Sequence, residues 1–222
     1  MYGKFLVEGD KAVRELIHSA FEIDVIYALP QWIATYGVAH KLIQPVNEME
    51  LGQLSTHSQP HQVIAVAYIP EKASLALEPK LYIACDSLND PGNVGTIIRI
   101  ADWFGIGGLI LSHDSVEVYN PKVVSAAKGS LFRVPILYAD LATLFKEQPQ
   151  LPVYGAAMDG ESIYQKTLPA AAILLIGNEA NGIGEGLQHL ITQRISIPSY
   201  GKAESLNAAV ATAIIIAEWK RR

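Results

Sequence analysis

Cysteine is almost absent from this chain of 222 residues, in which Cys85 is the only one. A single cysteine cannot form a disulfide within the chain, which excludes the class of small secreted domains that disulfides hold together. Cys85 lies inside the apolar run of residues 81–85. We therefore expect a buried thiol that packs as a small hydrophobic side chain.

Long apolar runs are missing as well. The longest, residues 208–217, is interrupted by Thr212 and is far shorter than the roughly 20 residues of a membrane-spanning helix. We interpret it as a buried helix or an interface helix. No charge-flanked apolar segment of the secretory kind begins the sequence, so we expect a cytoplasmic protein without a membrane partner.

The sequence also lacks a convincing metal-binding pattern and an excess of basic residues. Among the six histidines only His57 and His61 have the H-x-x-x-H spacing, and none clusters with the cysteine, so we expect no metal site. The formal net charge is −5, whereas proteins that bind nucleic acids usually have a basic surface. A local basic patch is nevertheless enough to bind phosphates. The candidate basic positions are Lys4, Lys11, Arg14, Lys122, Lys128, Arg133, Lys202 and residues 220–222.

The first segment that suggests chemistry follows the strand-like residues 81–85. A dense group of turn formers ends the strand, and apolar residues then recur at helical spacing. Arg99 lies in this helix, six residues after Asn93, among apolar neighbours. A buried arginine needs a partner, so an ion pair with Asp102 or Asp86 is the structural alternative to a functional role.

The second segment is an apolar strand that enters a loop with four glycines and two acids, of which Glu179 lies nearer the strand and Glu185 nearer the end. Glycines after a strand allow a ligand to approach the backbone closely, because no Cβ is in the way. A dinucleotide-binding loop is the obvious rival interpretation. It fails on spacing, because Gly182 and Gly184 are followed by Leu187 where G-x-G-x-x-G needs its last glycine.

The third segment, residues 195–217, combines a strand, a polar turn and the start of a helix. Residues 195–197 predict a strand that ends at Pro198, since proline cannot donate a hydrogen bond to a sheet. Ser205 lies where a helix N-cap belongs. Asn207 is harder to explain by structure, because Asn is a poor helix former at the third helical position. For Ser205, capping and function both remain open.

In chain order these segments resemble the three signature motifs of the SpoU (TrmH-like) family of RNA ribose 2′-O-methyltransferases, in the SPOUT class. The first reads Asn93-x-Gly-x-x-x-Arg99 and the second Gly177-Asn178-Glu179-x-x-Gly182, while residues 195–217 resemble the third. Residues 125–135 resemble the segment that links the first two motifs in the family. Three motifs in the family's order, each directly after a strand, indicate the family far more specifically than any one motif alone.

The resemblance implies transfer of a methyl group from S-adenosylmethionine to a ribose 2′-hydroxyl of structured RNA, either rRNA or tRNA. It also implies which residues do this. The donor pocket would be lined, mostly through backbone groups, by Gly177, Asn178, Gly182, Ile197 and Leu206. The implied catalytic residues are Asn93, Arg99, Glu179, Ser205 and Asn207.

Arg99 has been assigned the role of proton acceptor in the family, but a guanidinium hardly ever loses a proton. We expect it instead to fix the phosphate and to stabilise the developing alkoxide. Glu179 is the alternative base. Of the aromatic residues, Tyr200 is expected either to stack on an RNA base or to pack against the protein. Trp103 and Trp219 are expected to lie in the core or in an interface.

The alternation of strands and helices predicts an α/β fold with a largely parallel sheet over residues 80–222. The expected strands lie near residues 81–85, 108–112, 133–137, 153–157, 172–176 and 195–197. The resemblance adds a C-terminal trefoil knot and a homodimer with donor sites close to the subunit interface. The apolar C-terminal helix is compatible with a dimer, although a buried helix in a monomer would have the same sequence.

Residues 1–69 have a strand and helix alternation of their own, and the proline-bracketed residues 70–79 predict a linker. This front third resembles, more loosely, the small α/β ribosomal-protein-like RNA-binding domain that often precedes the catalytic domain. The residues that carry the likeness are 5–9 and 59–63, where Val63 replaces the glycine of the family pattern.

Two other function classes remain open. One is a catalytically silent RNA-binding or ribosome-assembly protein on the same fold, against which the complete set of motif residues argues. The other is a different nucleotide-using α/β enzyme, such as a dehydrogenase, which the missing glycine fingerprint disfavours. Binding of S-adenosylmethionine or of a nicotinamide cofactor distinguishes these possibilities.

Overall fold

The computed structural model describes residues 3–36, 41–57, 59, 61–71 and 76–221. Two compact units make up the chain. The first comprises residues 1–72 together with 117–133, and the second comprises residues 73–116 and 134–222. The division falls inside the expected linker, of which residues 72–75 lie outside the described part, as does residue 60 of the 59–63 pattern.

The first unit is built on a four-stranded mixed sheet with three helices from the front third of the chain. The strand order is β1-β4-β2-β3, with β4 antiparallel to both neighbours and β2 parallel to β3. The elements are β1 (Lys4–Glu8), α1 (Asp10–Ile17), β2 (Ile23–Ala28), α2 (Pro30–Tyr36), β3 (Ile43–Pro45), α3 (Glu48–Leu54) and β4 (Val63–Tyr68). The short elements α2, β3 and α3 were not predicted from the sequence.

The second unit contains a six-stranded sheet in which every pairing is parallel. The strand order is β10-β8-β9-β5-β6-β7. From residue 76 onwards the elements are β5 (Leu81–Cys85), α4 (Pro91–Trp103), β6 (Leu109–Leu111), α5 (Pro121–Ala127), β7 (Ile136–Tyr138), α6 (Leu141–Glu147), β8 (Val153–Ser162), β9 (Ala172–Ile176), α7 (Glu185–Gln188), β10 (Gln193–Ser196) and α8 (Ala208–Trp219). The largely parallel α/β prediction is therefore confirmed, with β7 and β10 shifted and β8 longer than expected.

Both faces of the parallel sheet are covered, which explains why its central strands read as continuous apolar runs. One face carries Tyr82 and Ala84 against Leu141, Phe145 and other buried residues of α6 and α7. The alternate residues of β5 point to the opposite face, and α4 and α8 pack against each other. Cys85 is buried as expected, and burial raises the pKa of its thiol.

Residues 117–133, which contain α5, group with the first unit although the sequence analysis had assigned them to the C-terminal domain. Aromatic packing explains this difference. Phe5 of β1 lies 4.7 Å from Tyr119, centroid to centroid, and Phe21 lies 5.3 Å from Phe132. Burial, with a smaller contribution from the charge of Glu117, raises the pKa of Tyr119 to about 12.

Within the described residues, no helix combines the length and the apolar character needed to cross a membrane.

Phe5 lies between the two parts of the first unit, so it offers a test of this packing. We expect Phe5→Ala to lower the free energy of unfolding by about 3 kcal/mol, because it removes a buried ring and leaves a cavity. Urea denaturation followed by circular dichroism measures the change. Met49→Ala, at a position 77% exposed in the same unit, is the control and should be near neutral. A Phe5→Ala variant as stable as this control would contradict the described packing.

Candidate active site

Two of the three motif loops leave the sheet side by side. Cys85, the last residue of β5, lies opposite Ile176, the last residue of β9. The Asp86 N–H donates to the Ile176 carbonyl at 2.9 Å. The Asp86 carboxylate in turn accepts the Gly184 N–H at 2.7 Å. The carboxyl ends of neighbouring parallel strands are where α/β proteins place their ligands, and the first two motifs meet at this edge.

A chain of side-chain hydrogen bonds joins all three motifs. The Asn93 amide Nδ2 donates to Glu179 Oε1 at 2.7 Å. The Asn207 amide Nδ2 donates to Asn93 Oδ1 at 2.8 Å. Asn93 is 9% exposed and therefore has both ends of its amide satisfied away from bulk water. The structure thus brings together Asn93, Glu179 and Asn207, three of the five catalytic residues that the resemblance implies.

Asn207, and not Ser205, is the N-cap of α8. Its Oδ1 accepts the N–H groups of Ala209 and Val210 at 3.0 and 3.2 Å. Asn is among the strongest N-cap residues because its short side chain reaches the first free N–H groups of a helix. Of the two possibilities left open for Ser205, capping of the helix is therefore excluded, and Asn207 combines capping with the bond to Asn93. Ser205 lies exposed in the preceding loop.

Arg99 projects from α4 into solvent. Its side chain is exposed, and it forms no hydrogen bond or ion pair with any residue in the part of the chain that the structure describes. The structural alternative, an ion pair with Asp102 or Asp86, is absent from these residues. Asp86 is occupied instead by the Gly184 N–H. This free guanidinium, on the same helix as Asn93, is available to bind an anionic ligand.

Only glycine fits at position 177, because the backbone of the same loop lies very close to it. A Cβ on this residue would lie 2.2 Å from the Gly182 carbonyl carbon and 2.4 Å from the Ile183 nitrogen. The residues between fold back so that Asn178 and Gly182 exchange two backbone hydrogen bonds of 2.9 Å. Gly182 has a positive φ of 67°, which favours glycine. A side chain at Gly177 would therefore distort the loop itself, in addition to narrowing any pocket.

Asn178 uses its side chain to hold the two neighbouring loops. Its Nδ2 donates to the Ser87 carbonyl at 2.7 Å, and its Oδ1 accepts the N–H groups of Ala180 and Asn181. Both ends of this amide are engaged in the protein. Its backbone N–H and C=O are engaged by Gly182 as well, so the structure gives Asn178 the role of holding the loop.

Ser87 is a site residue that the sequence analysis missed. It adopts φ 54°, a left-handed conformation that costs energy in a residue with a side chain. Its N–H donates to Ser112 Oγ at 2.8 Å and its hydroxyl donates to Asp114 at 2.5 Å. Hydrogen bonds from Ser112 and Ser87 lower the pKa of Asp114. No sequence signal marks this turn except its position directly after a strand.

The loop between β10 and α8 exposes backbone groups that fit the implied donor pocket. Within the described residues, none of positions 198–206 forms a backbone–backbone hydrogen bond. Ile197 is half-buried and Leu206 is 48% exposed, so apolar surface lies at both ends of the loop. Free N–H and C=O groups beside apolar side chains are suited to recognising a heterocyclic base. Tyr200 is 95% exposed in the same loop.

Metal ligands are not gathered here. No group of three or more His, Cys, Asp or Glu side chains in the described residues could hold a metal ion.

Comparison with known proteins agrees with this geometry. The model of the SpoU rRNA Methylase family matches residues 80–217. The chain belongs to this family. The match begins one residue before β5 and ends within α8, so it contains all three motif loops of the site. This SpoU-family chain is accordingly a methyltransferase, and its relatives include proteins that align over nearly its whole length.

Three relatives are similar over both units. The 23S rRNA (guanosine(2553)-2′-O)-methyltransferase RlmP of Bacillus subtilis is 31% identical over 96% of this chain and 86% of its own. A protein from Porphyromonas gingivalis, assigned to the TrmH family of RNA methyltransferases, superposes with a TM-score of 0.89 at 36% identity over 99% of this chain and 90% of its own. The SpoU methyltransferase AviRb of Streptomyces viridochromogenes, in complex with AdoMet, gives 0.86 at 27% identity over the same shares.

The bond between Asn93 and Glu179 generates a prediction. Asn93→Asp should destabilise the protein at about pH 8, because two carboxylates then face each other at hydrogen-bond distance. The repulsion raises the pKa of one carboxylate in the folded state, so the lost stability should return as the pH falls towards about 5. Thermal unfolding across this pH range measures the effect.

The matched control adds Glu179→Gln to Asn93→Asp. The glutamine amide can donate where Glu179 accepted, so the double variant should regain stability at about pH 8 and lose the pH dependence. If Asn93→Asp unfolds like the wild-type protein at every pH, the described contact between Asn93 and Glu179 is wrong.

Proposed function

We propose that this protein transfers the methyl group of S-adenosylmethionine to a ribose 2′-hydroxyl in structured RNA, and that 23S rRNA is its substrate. The observation that carries the proposal is the hydrogen-bond chain through Asn207, Asn93 and Glu179, which joins the three motif loops, while the exposed Arg99 lies on the same helix as Asn93. The substrate is inferred from RlmP of Bacillus subtilis, which is named for a 2′-O position of 23S rRNA.

The reaction needs a held donor, a positioned hydroxyl and removal of that hydroxyl's proton. S-adenosylmethionine supplies the electrophilic methyl carbon. We assign its binding to the loops at 177–183 and 197–206, where Gly177 and Gly182 present no side chain and Ile197 and Leu206 offer apolar surface. Asn178 holds the first of these loops against the Ser87 turn.

Arg99 binds the phosphate next to the reactive ribose and stabilises negative charge as it develops on the 2′-oxygen. Its exposed guanidinium has no competing partner among the described residues. Charge-assisted contacts of this kind are stronger than those between neutral groups. Glu179 is exposed and is a proton acceptor within the same chain of contacts, while Asn93 orients it by donating to Oε1. Ser205, exposed in the loop before α8, is assigned to the ribose or to the methionine part of the donor.

The first unit is proposed to bind the RNA substrate. Among the basic candidates, Lys4, Arg14 and Arg133 form ion pairs with Asp24, Asp10 and Glu15. Lys11, Lys122 and Lys128 remain exposed on this unit and make no ion pair in the part of the chain that the structure describes. These three lysines are therefore the phosphate contacts that we assign to it.

The finer architecture is also a proposal. We assign the C-terminal part a SPOUT trefoil knot and the protein a homodimer in the cytoplasm. The exposed Val210 and Leu206 support a dimer, because they leave apolar surface open at the start of α8. Sedimentation equilibrium at micromolar concentration should give about twice the chain mass, and a monomer mass would contradict the dimer.

Arg99 provides the test of the reaction. Arg99→Ala should slow methylation of 23S rRNA by about a hundredfold or more, as the loss of a preorganised charge does. Arg99→Lys should rescue poorly, because an ammonium cannot reproduce a planar two-pronged contact. Single-turnover transfer of a labelled methyl group to an unmodified 23S rRNA transcript measures the rate.

Calorimetric titration with S-adenosylmethionine is the accompanying control. The affinity of Arg99→Ala for this donor should equal that of the wild-type protein, because the donor loops are intact. Lys146→Ala, at another exposed cation of the same unit, should retain full activity. Loss of folding, donor binding and rate together in Arg99→Ala would favour a structural role. Donor binding without transfer to any rRNA or tRNA by the wild-type protein would favour the catalytically silent alternative.

A further inference from the structure

Trp103 is unlike the other two tryptophans of the chain. Trp32 and Trp219 are buried, and their indole N–H groups donate to Asp10 Oδ1 at 3.0 Å and to the Pro169 carbonyl at 2.7 Å. Trp103 is 84% exposed. Within the described residues its indole donates no hydrogen bond and contacts no other aromatic ring. Trp103 therefore does not lie in the core, which was one of the two places expected for it, and its large apolar surface is exposed.

Trp103 shares a helix face with Arg99. The two residues are four positions apart on α4, so their side chains project from the same side about 6 Å apart along the helix axis. The opposite side of α4 is fixed in the core by Val94, Ile98 and Ala101. A rigid helix therefore presents an exposed indole and an exposed, unpaired guanidinium together.

We propose that Trp103 is a stacking platform for a base of the substrate RNA, adjacent to the ribose that Arg99 contacts. The inference rests on the proposed function, because it takes Arg99 to face the reactive nucleotide. An RNA strand carries alternating phosphates and bases, which complements a cation and an aromatic ring one helical turn apart. Trp103 would thus hold the strand in place while Arg99 acts on it.

A second copy of the chain is the competing occupant of this face. It would cover Arg99 together with Trp103, and desolvating an unpaired guanidinium is costly. A phosphate neutralises the same cation. The exposed Leu206 and Val210 lie at the start of α8, a helix with no charged residue before Glu218, and they fit a protein partner better. The charge on the face of α4 therefore favours RNA.

Kinetics with an unmodified 23S rRNA transcript test the proposal. Trp103→Ala should raise KM for this RNA by about tenfold or more while kcat changes little, because stacking contributes to binding rather than to chemistry. Trp103→Phe keeps an aromatic face and should recover most of the loss. Tyr164→Ala, at an exposed aromatic on a different element, is the matched control and should leave KM unchanged.

Tryptophan fluorescence gives a readout that does not depend on activity. The same transcript should quench the wild-type emission, since stacking places a base on the only one of the three indoles that is largely exposed among the described residues. Trp103→Phe should show little quenching. The thermal midpoint and the affinity for S-adenosylmethionine should stay at their wild-type values in each Trp103 variant.

Two results would overturn the proposal. One is an unchanged KM and unchanged quenching in the Trp103 variants of an enzyme that methylates the transcript. The other is a fall in sedimentation mass in Trp103→Ala, which would place this residue in a subunit interface. Absence of methylation by the wild-type enzyme would count instead against the proposed substrate.

Discussion

The side-chain amide of Asn93 is the contact on which the rest of the site depends. It donates to Glu179 and accepts from Asn207, so one buried group connects loops that are 86 and 114 residues away in the chain. An amide suits this position because it is a donor at one end and an acceptor at the other. A carboxylate there would repel Glu179, and an apolar side chain would leave both partners unpaired.

The parallel sheet makes this contact possible. Neighbouring strands β5 and β9 end level with each other, which brings the loops of Asp86 and Gly177 to the same edge. The β10 strand lies two positions further along the sheet, so its loop reaches the others through the start of α8. Asn207 ends that loop and caps the helix, and one side chain thereby fixes both the helix start and the site.

Local sequence patterns predicted the strand exits and helices of the second unit well, since apolar runs and turn formers act over short distances. They failed where contacts between residues far apart in the sequence determine the structure. Ser205 was considered as the cap of α8 and Asn207 was not, because capping preference cannot distinguish two capable residues without the hydrogen bonds. The grouping of residues 117–133 with the first compact unit was not predicted, because the packing of Tyr119 against Phe5 cannot be seen in the sequence pattern. The exposure of Trp103 was missed because an aromatic at helical spacing usually packs inside.

The central claim is that this arrangement methylates a ribose 2′-oxygen, and it is tested most directly in cells. Ribose 2′-O-methylation can be mapped at every nucleotide of rRNA and tRNA in a strain that lacks the gene and in the same strain with the gene restored. The account predicts that one 2′-O-methyl group, in 23S rRNA, disappears on deletion and returns with the wild-type gene. Identical methylation maps in the two strains would contradict it.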